Sequence, residues 1–348
     1  MIIGVPILKK NLRFLLFFLI PLYRGLFLLH RYFKKREKLP VRRVWSIGNL
    51  SVGGTGKTPF ILTLLGMARS LGLESIVVLS RGYGGSLSRK GGEVSVHSHP
   101  NEVGDEPLMI KKNFPEVRVL IGQNRYQTFL NFVSKPDSIQ LVLLDDGFQH
   151  HALERDLDFV LIDTSKAPER FLLPVGNLRE SYSALNRADY LVFSKFNLGQ
   201  KAYDLELESE FRRRFPNLRY LRFGLQPQEI KNREGESIDM ENCKKFSVFF
   251  FSGIGNPKTF FSHTERYFLK KIGEKVFLDH HKFTESDMMN LSRESKNSDI
   301  LLCTEKDFVK CRELKDLPKN LFYLSSEGEI TPGEVLREEM KDLLRNGL

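Results

Sequence analysis

From residue 44 onward, short apolar and β-branched runs alternate with longer stretches of helical period. The runs VWSI (44–47), SIVVLS (75–80), VRVLI (117–121), IQLVLLD (139–145), DFVLID (158–163) and YLVFS (190–194) predict strands. They are apolar throughout instead of alternating, as strands buried on both faces are, so they predict a mostly parallel sheet with helices on both faces. Helices are expected over 58–71 and from near Pro107. A polar stretch over 226–242 (QPQEIKNREGESIDMEN) places a domain boundary in 225–245. Beyond it FSVFFFSG (246–253), EKVFLD (274–279) and DILLC (299–303) predict further strands, with helices from about Pro257 and Glu285. The expected division is a core α/β domain over 41–225 and a smaller α/β domain over 246–348. No internal repeat or low-complexity tract interrupts it.

The first 40 residues follow another pattern. FLLFFLIPLY (14–23) carries no charge, Arg24 breaks the run, and GLFLLH (25–30) leads into Arg31, Lys34, Lys35 and Arg36. A clean spanning helix needs about 20 apolar residues, and Pro21 and Arg24 fall inside this one. No small-residue cleavage site follows, which counts against a secretory signal. The segment 1–40 therefore reads as a membrane-anchor helix lying in the interface, with apolar side chains in the acyl boundary and cations on anionic headgroups. A helix packed on its own domain and a short tilted span are the alternatives. Charge sharpens this reading. The 348 residues hold 53 Lys and Arg against 43 Asp and Glu, and residues 1–43 hold eleven of the basic side chains with one acid, Glu37. The whole excess of +10 is N-terminal, so the body lacks the basic surplus of a nucleic-acid-binding protein. At 41% hydrophobic and 28% charged the chain is neither disordered nor fibrous. Three cysteines without paired spacing indicate free thiols in a reducing compartment, hence the cytoplasm.

The strongest chemical signal is GNLSVGGTGKTP (48–59), which joins an expected strand to an expected helix. A loop that holds phosphate needs glycines so that successive N–H groups turn toward the anion, a lysine for the β- and γ-phosphates, a hydroxyl for Mg²⁺, and a helix N-terminus. Gly53, Gly54 and Gly56 meet the first need, Lys57 the second and Thr58 the third, with Ser51, Val52 and Thr55 completing the turn. Ser51 stands where the common pattern opens with glycine. The apolar strand LVLLDD (141–146) ends in Asp145 and Asp146, the acids expected to hold Mg²⁺ directly or through water. ATP and Mg²⁺ follow from the two motifs; the acceptor does not.

Further polar clusters follow strands, where open α/β sheets bind ligands. They are SRGYGG (80–85), GDEP (104–107), GQNRY (122–126), DDGFQHH (145–151), LPVGNLRES (173–181), FSGIGNP (251–257), FLDHHKF (277–283) and TEKD (304–307). Singly each is weak, since GDEP also reads as a plain helix start with Pro at N1 and acids on the dipole. In this order and spacing they resemble the tetraacyldisaccharide 4′-kinase family, over nearly the whole chain. The resemblance implies a P-loop NTPase-like fold and transfer of phosphate from ATP to the 4′-hydroxyl of a lipid A disaccharide 1-phosphate. The work would be done by a monomer at the cytoplasmic face of the bacterial inner membrane. It implies Asp105 as the base on the acceptor hydroxyl, Glu106 beside it near the metal, and His280, or else its neighbour His281, as the residue orienting that base. It also places Asp145, Asp146, Gln149 and His150 near Mg²⁺ and the phosphates, and Arg81, Arg125 and Arg179 at contacts with the nucleotide phosphates or the disaccharide phosphate. A carboxylate paired with an imidazole suits the step, because the carboxylate takes the proton and the imidazole fixes and tunes it.

Two other classes compete. A membrane-associated P-loop ATPase acting as a spatial switch would carry a signature lysine where Val52 stands. A non-catalytic membrane scaffold has no use for Lys57, Thr58 and the acid pair.

Overall fold

The computed structural model describes residues 36–196, 201–279 and 281–345, with 20, 21 and 25 before them. Most of the expected anchor over 1–40 lies outside the described residues, among which no helix is long and apolar enough to cross a membrane.

Seven strands build the first half: β1 (Arg43–Asn49), β2 (Ile76–Ser80), β3 (Gly92–Glu93), β4 (Arg118–Ile121), β5 (Leu141–Asp145), β6 (Leu157–Asp163) and β7 (Tyr190–Ser194). Their spatial order is β7-β6-β1-β5-β2-β4, all parallel, with β3 antiparallel at the edge. The strands are apolar throughout because both faces are covered. In β1, Trp45 and Ile47 face one core and Val44 the other. Helices α1 (Lys57–Ser70) and α2 (Asp105–Asn113) cover one face, and α3 (Arg125–Phe132) and α4 (Lys201–Arg214) the other. In α1, Phe60, Leu64 and Ala68 repeat at i, i+4 beside Ile61 and Leu65, and all five are buried against the sheet.

The second half adds β8 (Arg219–Lys231), β9 (Ser237–Asp239), β10 (Ser247–Ser252), β11 (Lys270–Val276), β12 (Ile300–Thr304) and β13 (Leu321–Thr331), with helices α5 (Pro257–Thr264), α6 (Glu285–Glu294), α7 (Glu305–Cys311) and α8 (Glu334–Arg345). Strand β8 runs parallel to β7 over its first five residues and antiparallel to β13 from Arg222 onward. It thereby joins the parallel block β11-β10-β12-β13 to the first block in one sheet.

Two features depart from what the sequence pattern predicts. Strands β8 and β13 carry no such prediction, because QPQEIK and SSEGEIT are polar; the ladder between the two strands carries these stretches, while Leu221, Phe223, Ile230, Leu321 and Ile330 anchor the strands in the core. Pro227, which cannot donate to the ladder, sits beside the register shift at Ser325/Ser326. The stretch 225–245 accordingly begins as strand. In addition, α8 leaves the second half and packs Leu336, Met340 and Leu343 into the core of the first, at i, i+4, i+7 spacing.

Candidate active site

At the carboxyl end of β1 the chain turns and enters α1. Asn49 is buried, and its Nδ2 donates to Ser51 O at 2.7 Å. Val52 N donates to Asn177 O at 2.8 Å, which ties the start of the loop to the 173–181 segment. Gly56 takes φ +85°, a left-handed conformation that suits glycine, and caps α1 without any side-chain hydrogen bond. No acid occupies the first turn of α1. The helix therefore presents N–H groups and the positive end of its dipole, with Lys57 and Thr58 in that turn.

Beside the loop, the acidic end of β5 is held in two different states. Asp146 takes φ +49°. Both of its oxygens accept from Arg179, at 3.1 and 2.9 Å, and Lys57 Nζ lies 3.3 Å away. Burial opposes its charge, but Lys57 and Arg179 outweigh burial and hold the carboxyl well below the usual range. Asp145 accepts from Ser80 Oγ at 2.8 Å through one oxygen, while its other oxygen is buried without a hydrogen-bond partner. Burial first, and then Glu106, push it up to about 6 against the pull of Lys57. Beneath the pair, the buried guanidinium of Arg125 donates to Asp145 O at 2.6 Å and to Asp146 O at 3.4 Å. It fixes the turn that separates the two acids.

Across the cleft, Gly104 at φ +92° starts α2, and an added Cβ there would lie 2.8 Å from Tyr83 O. This close approach seats Asp105 and Glu106 at the helix start. Helix α7 of the second half meets them: Lys306 Nζ donates to Glu106 Oε1 at 3.0 Å, and Lys310 Nζ lies 3.7 Å from Asp105 Oδ2. Lys310 is anchored on Asp307 at 3.1 Å, and Asp307 in turn accepts from Ser252, Thr304 and the Gly253 amide. The 251–257 segment closes the cleft, since a Cβ at Gly255 would lie 3.3 Å from Asp279 Oδ2 and 3.8 Å from Gly54 N.

One cleft of about 1840 Å³ thus holds residues 52–58 together with Arg81, Asp105, Glu106, Arg125, Asp145, Asp146, Gln149, His150 and Arg179. Ser51 lies off its lining and bridges Leu178 through the main chain. His280 lies outside the described residues; its neighbour Asp279 lines the cleft. His281 is bonded to Asp287 at 3.1 Å and packed between Phe277 and Phe283, away from the lining. Three expectations shift. Asp146, expected at the metal, is occupied by cations. Arg125 holds main-chain carbonyls, and Arg179 holds Asp146 and Gln149. Lys195, Lys306 and Lys310 join the site without having been expected there. The first follows the end of β7, where the strand-end rule could have flagged it. The second lies inside TEKD, and the third carries no local signal.

A glycine loop entering a helix at a lysine, an acidic strand end beside it and a second acidic helix start across the same cleft define a kinase, an enzyme that passes a phosphoryl group from a nucleotide to an acceptor. A family model described as LpxK, tetraacyldisaccharide-1-P 4′-kinase, matches residues 12–345, and the chain belongs to that family. It is 36% identical over 289 residues to the tetraacyldisaccharide 4′-kinase of Bdellovibrio bacteriovorus, covering 80% of this chain and 81% of that one. The enzyme of the same name from Pasteurella multocida is 34% identical, covering 84% and 81%. Among solved structures, the "apo" form of LpxK from Aquifex aeolicus in complex with ATP superposes with a TM-score of 0.72 at 29% identity, covering 95% of this chain and 99% of that one.

The unequal acids give a pH test. A carboxyl raised from 3.8 to about 6 in the fold destabilises the folded chain while ionised, fully above pH 6 and not at all below its unfolded value. Asp145→Asn in metal-free buffer should therefore melt higher than the parent at pH 8, with a gap that shrinks as pH falls through 6 toward 4. A gap equal at pH 8 and pH 4.5 contradicts the raised carboxyl at Asp145.

Proposed function

We propose that the cleft transfers the γ-phosphoryl group of ATP to the 4′-hydroxyl of a tetraacyl glucosamine disaccharide 1-phosphate. The observation that carries the reading is the meeting, in one cleft of a member of this family, of the loop with Lys57 and the helix start with Asp105. The loop amides and the N-terminus of α1 receive the β- and γ-phosphates. Lys57 moves from Asp146 toward the charge that develops on the transferring group. Asp105 accepts the proton of the 4′-hydroxyl as its oxygen attacks phosphorus, and the bond to ADP breaks. His280 orients Asp105, while Lys310 keeps that carboxylate aimed from the opposite half. Gln149, His150 and Arg81 line the phosphate end.

Mg²⁺ suits the residues present. Asp145 offers a buried oxygen without a hydrogen-bond partner, Glu106 is the first charge acting on it, and Thr58 supplies a hydroxyl. Two carboxylates and a hydroxyl match the sparse protein ligation this ion takes beside phosphates. When bound, it would neutralise phosphate charge. Asp146 is left out, since its role is to hold Lys57 and Arg179.

ADP release, measured with and without the disaccharide, tests the reading. Release that depends on the acceptor is expected; equal release without it returns the spatial-switch ATPase. A substrate whose acyl chains stay in a bilayer also fits an anchored enzyme on the cytoplasmic leaflet. Deleting residues 1–38 should then move the protein from the membrane to the soluble fraction, because the apolar run and most of the positive charge go with it. A truncated protein still bound to membrane after a high-salt wash contradicts the anchor.

A further inference from the structure

Only two non-glycine residues among the described ones take a positive φ, and both flank the glycine loop: Asp146 on one side and Lys195, at φ +59°, on the other. Such conformations persist where the surroundings over-determine them, and they collect at functional sites. The role of Asp146 is accounted for by Lys57 and Arg179. That of Lys195 is not.

Lys195 follows the last residue of β7. Its Nζ donates to Gly54 O at 2.9 Å and to Asp163 Oδ2 at 2.7 Å. Asp163 ends β6, and its side chain is 5% exposed. Its other oxygen accepts from Ser165 N at 3.0 Å and Ser165 Oγ at 2.6 Å, so the carboxylate is fully engaged. The ammonium is thus fixed from behind by a buried, satisfied acid and reaches forward to one carbonyl of the loop. At that point the loop offers no side chain to be held: a Cβ added at Gly53 or at Gly54 would meet nothing within 4 Å. Two adjacent glycines with no side chains to restrain them sample many conformations. A charge-assisted hydrogen bond to their carbonyl selects among them.

We infer that Lys195, held by Asp163, is a positioning residue that pre-orders the loop for ATP. The peptide between Gly54 and Thr55 is planar and trans, so its C=O and N–H point in opposite directions. Holding the carbonyl on Lys195 turns the Thr55 N–H the opposite way within that plane, away from the β7 end. The entropy of ordering the glycines is then spent before the nucleotide arrives. The inference rests on the reading of residues 51–58 as the ATP loop.

The test is steady-state kinetics on the full chain with ATP and the disaccharide, with direct binding of a non-hydrolysable ATP analogue measured beside it. Lys195→Met should raise KM for ATP about tenfold, the worth of one charge-assisted hydrogen bond, with kcat within about threefold and KM for the glycolipid unchanged. Lys195→Arg, which keeps a charged donor, should restore most of the loss. Asp163→Asn decides between positioning and direct contact. If Lys195 acts by holding the loop, releasing it from Asp163 weakens the analogue, and the double variant is no worse than Lys195→Met. If Lys195 is instead a phosphate ligand restrained by Asp163, Asp163→Asn binds the analogue more tightly, and the inference is overturned. An unchanged KM for ATP in Lys195→Met overturns it as well. Should Lys195→Met fail to fold, the analogue affinities of Lys195→Arg and Asp163→Asn decide between the same two roles. Lys57→Ala run alongside separates the two levels. An active Lys57→Ala removes the ATP-loop reading itself, whereas an inactive one beside an ordinary Lys195→Met removes this inference alone.

Discussion

Lys57→Ala should lose phosphoryl transfer by at least about 10²–10³-fold while its melting curve stays near that of the parent. The loss is expected because the ammonium acts on charge that grows as the γ-phosphoryl group leaves ADP, so its effect is largest in the transition state. The fold should survive, because Asp146 keeps both hydrogen bonds to Arg179 when Lys57 is gone. Asp146 is then not left without a cation. The measurement is kcat together with the thermal midpoint. Turnover within about threefold of the parent corresponds to a barrier change under about 1 kcal/mol and would remove Lys57 from the chemistry.

Asp105→Ala should cost roughly 10²–10⁴-fold in kcat, the usual worth of a general base, with a much smaller change in KM for ATP. Again the surroundings tolerate the change. Lys310 retains Asp307 at 3.1 Å and Gly253 O at 3.4 Å, so its buried ammonium is not orphaned. His280→Ala should be milder, since an orienting group acts through its partner. The double variant should fall well short of the product of the two losses. Multiplicative losses would mean that the two residues act independently. A crippled His281→Ala beside a normal His280→Ala would transfer the role to the neighbour, against the bond that ties His281 to Asp287.

What is legible in the sequence is what is local. Lys57 and Thr58 stand one turn from the glycines that give them meaning, and Asp145 ends an apolar run whose period announces a buried parallel strand. Groups that work across the chain are hidden. Lys310 is 205 positions from Asp105 and meets it only because α7 lies on α2. Arg125 looks like a phosphate ligand from its motif, yet its guanidinium supports the main chain of the acid turn. Asp145 and Asp146 read as an equivalent pair. Burial and Glu106 at Asp145, and Lys57 with Arg179 at Asp146, make them unequal, and nothing in LVLLDD records that. The same limit applies to the polar halves of β8 and β13, QPQEIK and SSEGEIT, whose pairing partner lies about a hundred residues away along the chain.

The proposed chemistry turns on one event, the passage of a phosphoryl group from ATP to a particular hydroxyl of a glycolipid. Purified full-length protein incubated with [γ-³²P]ATP, Mg²⁺ and the tetraacyl disaccharide 1-phosphate, followed by thin-layer separation and assignment of the labelled position, measures it directly. Label is expected in a bisphosphorylated glycolipid, at the 4′ position, and none with Lys57→Ala. Label recovered only as inorganic phosphate, or at another hydroxyl, would contradict it.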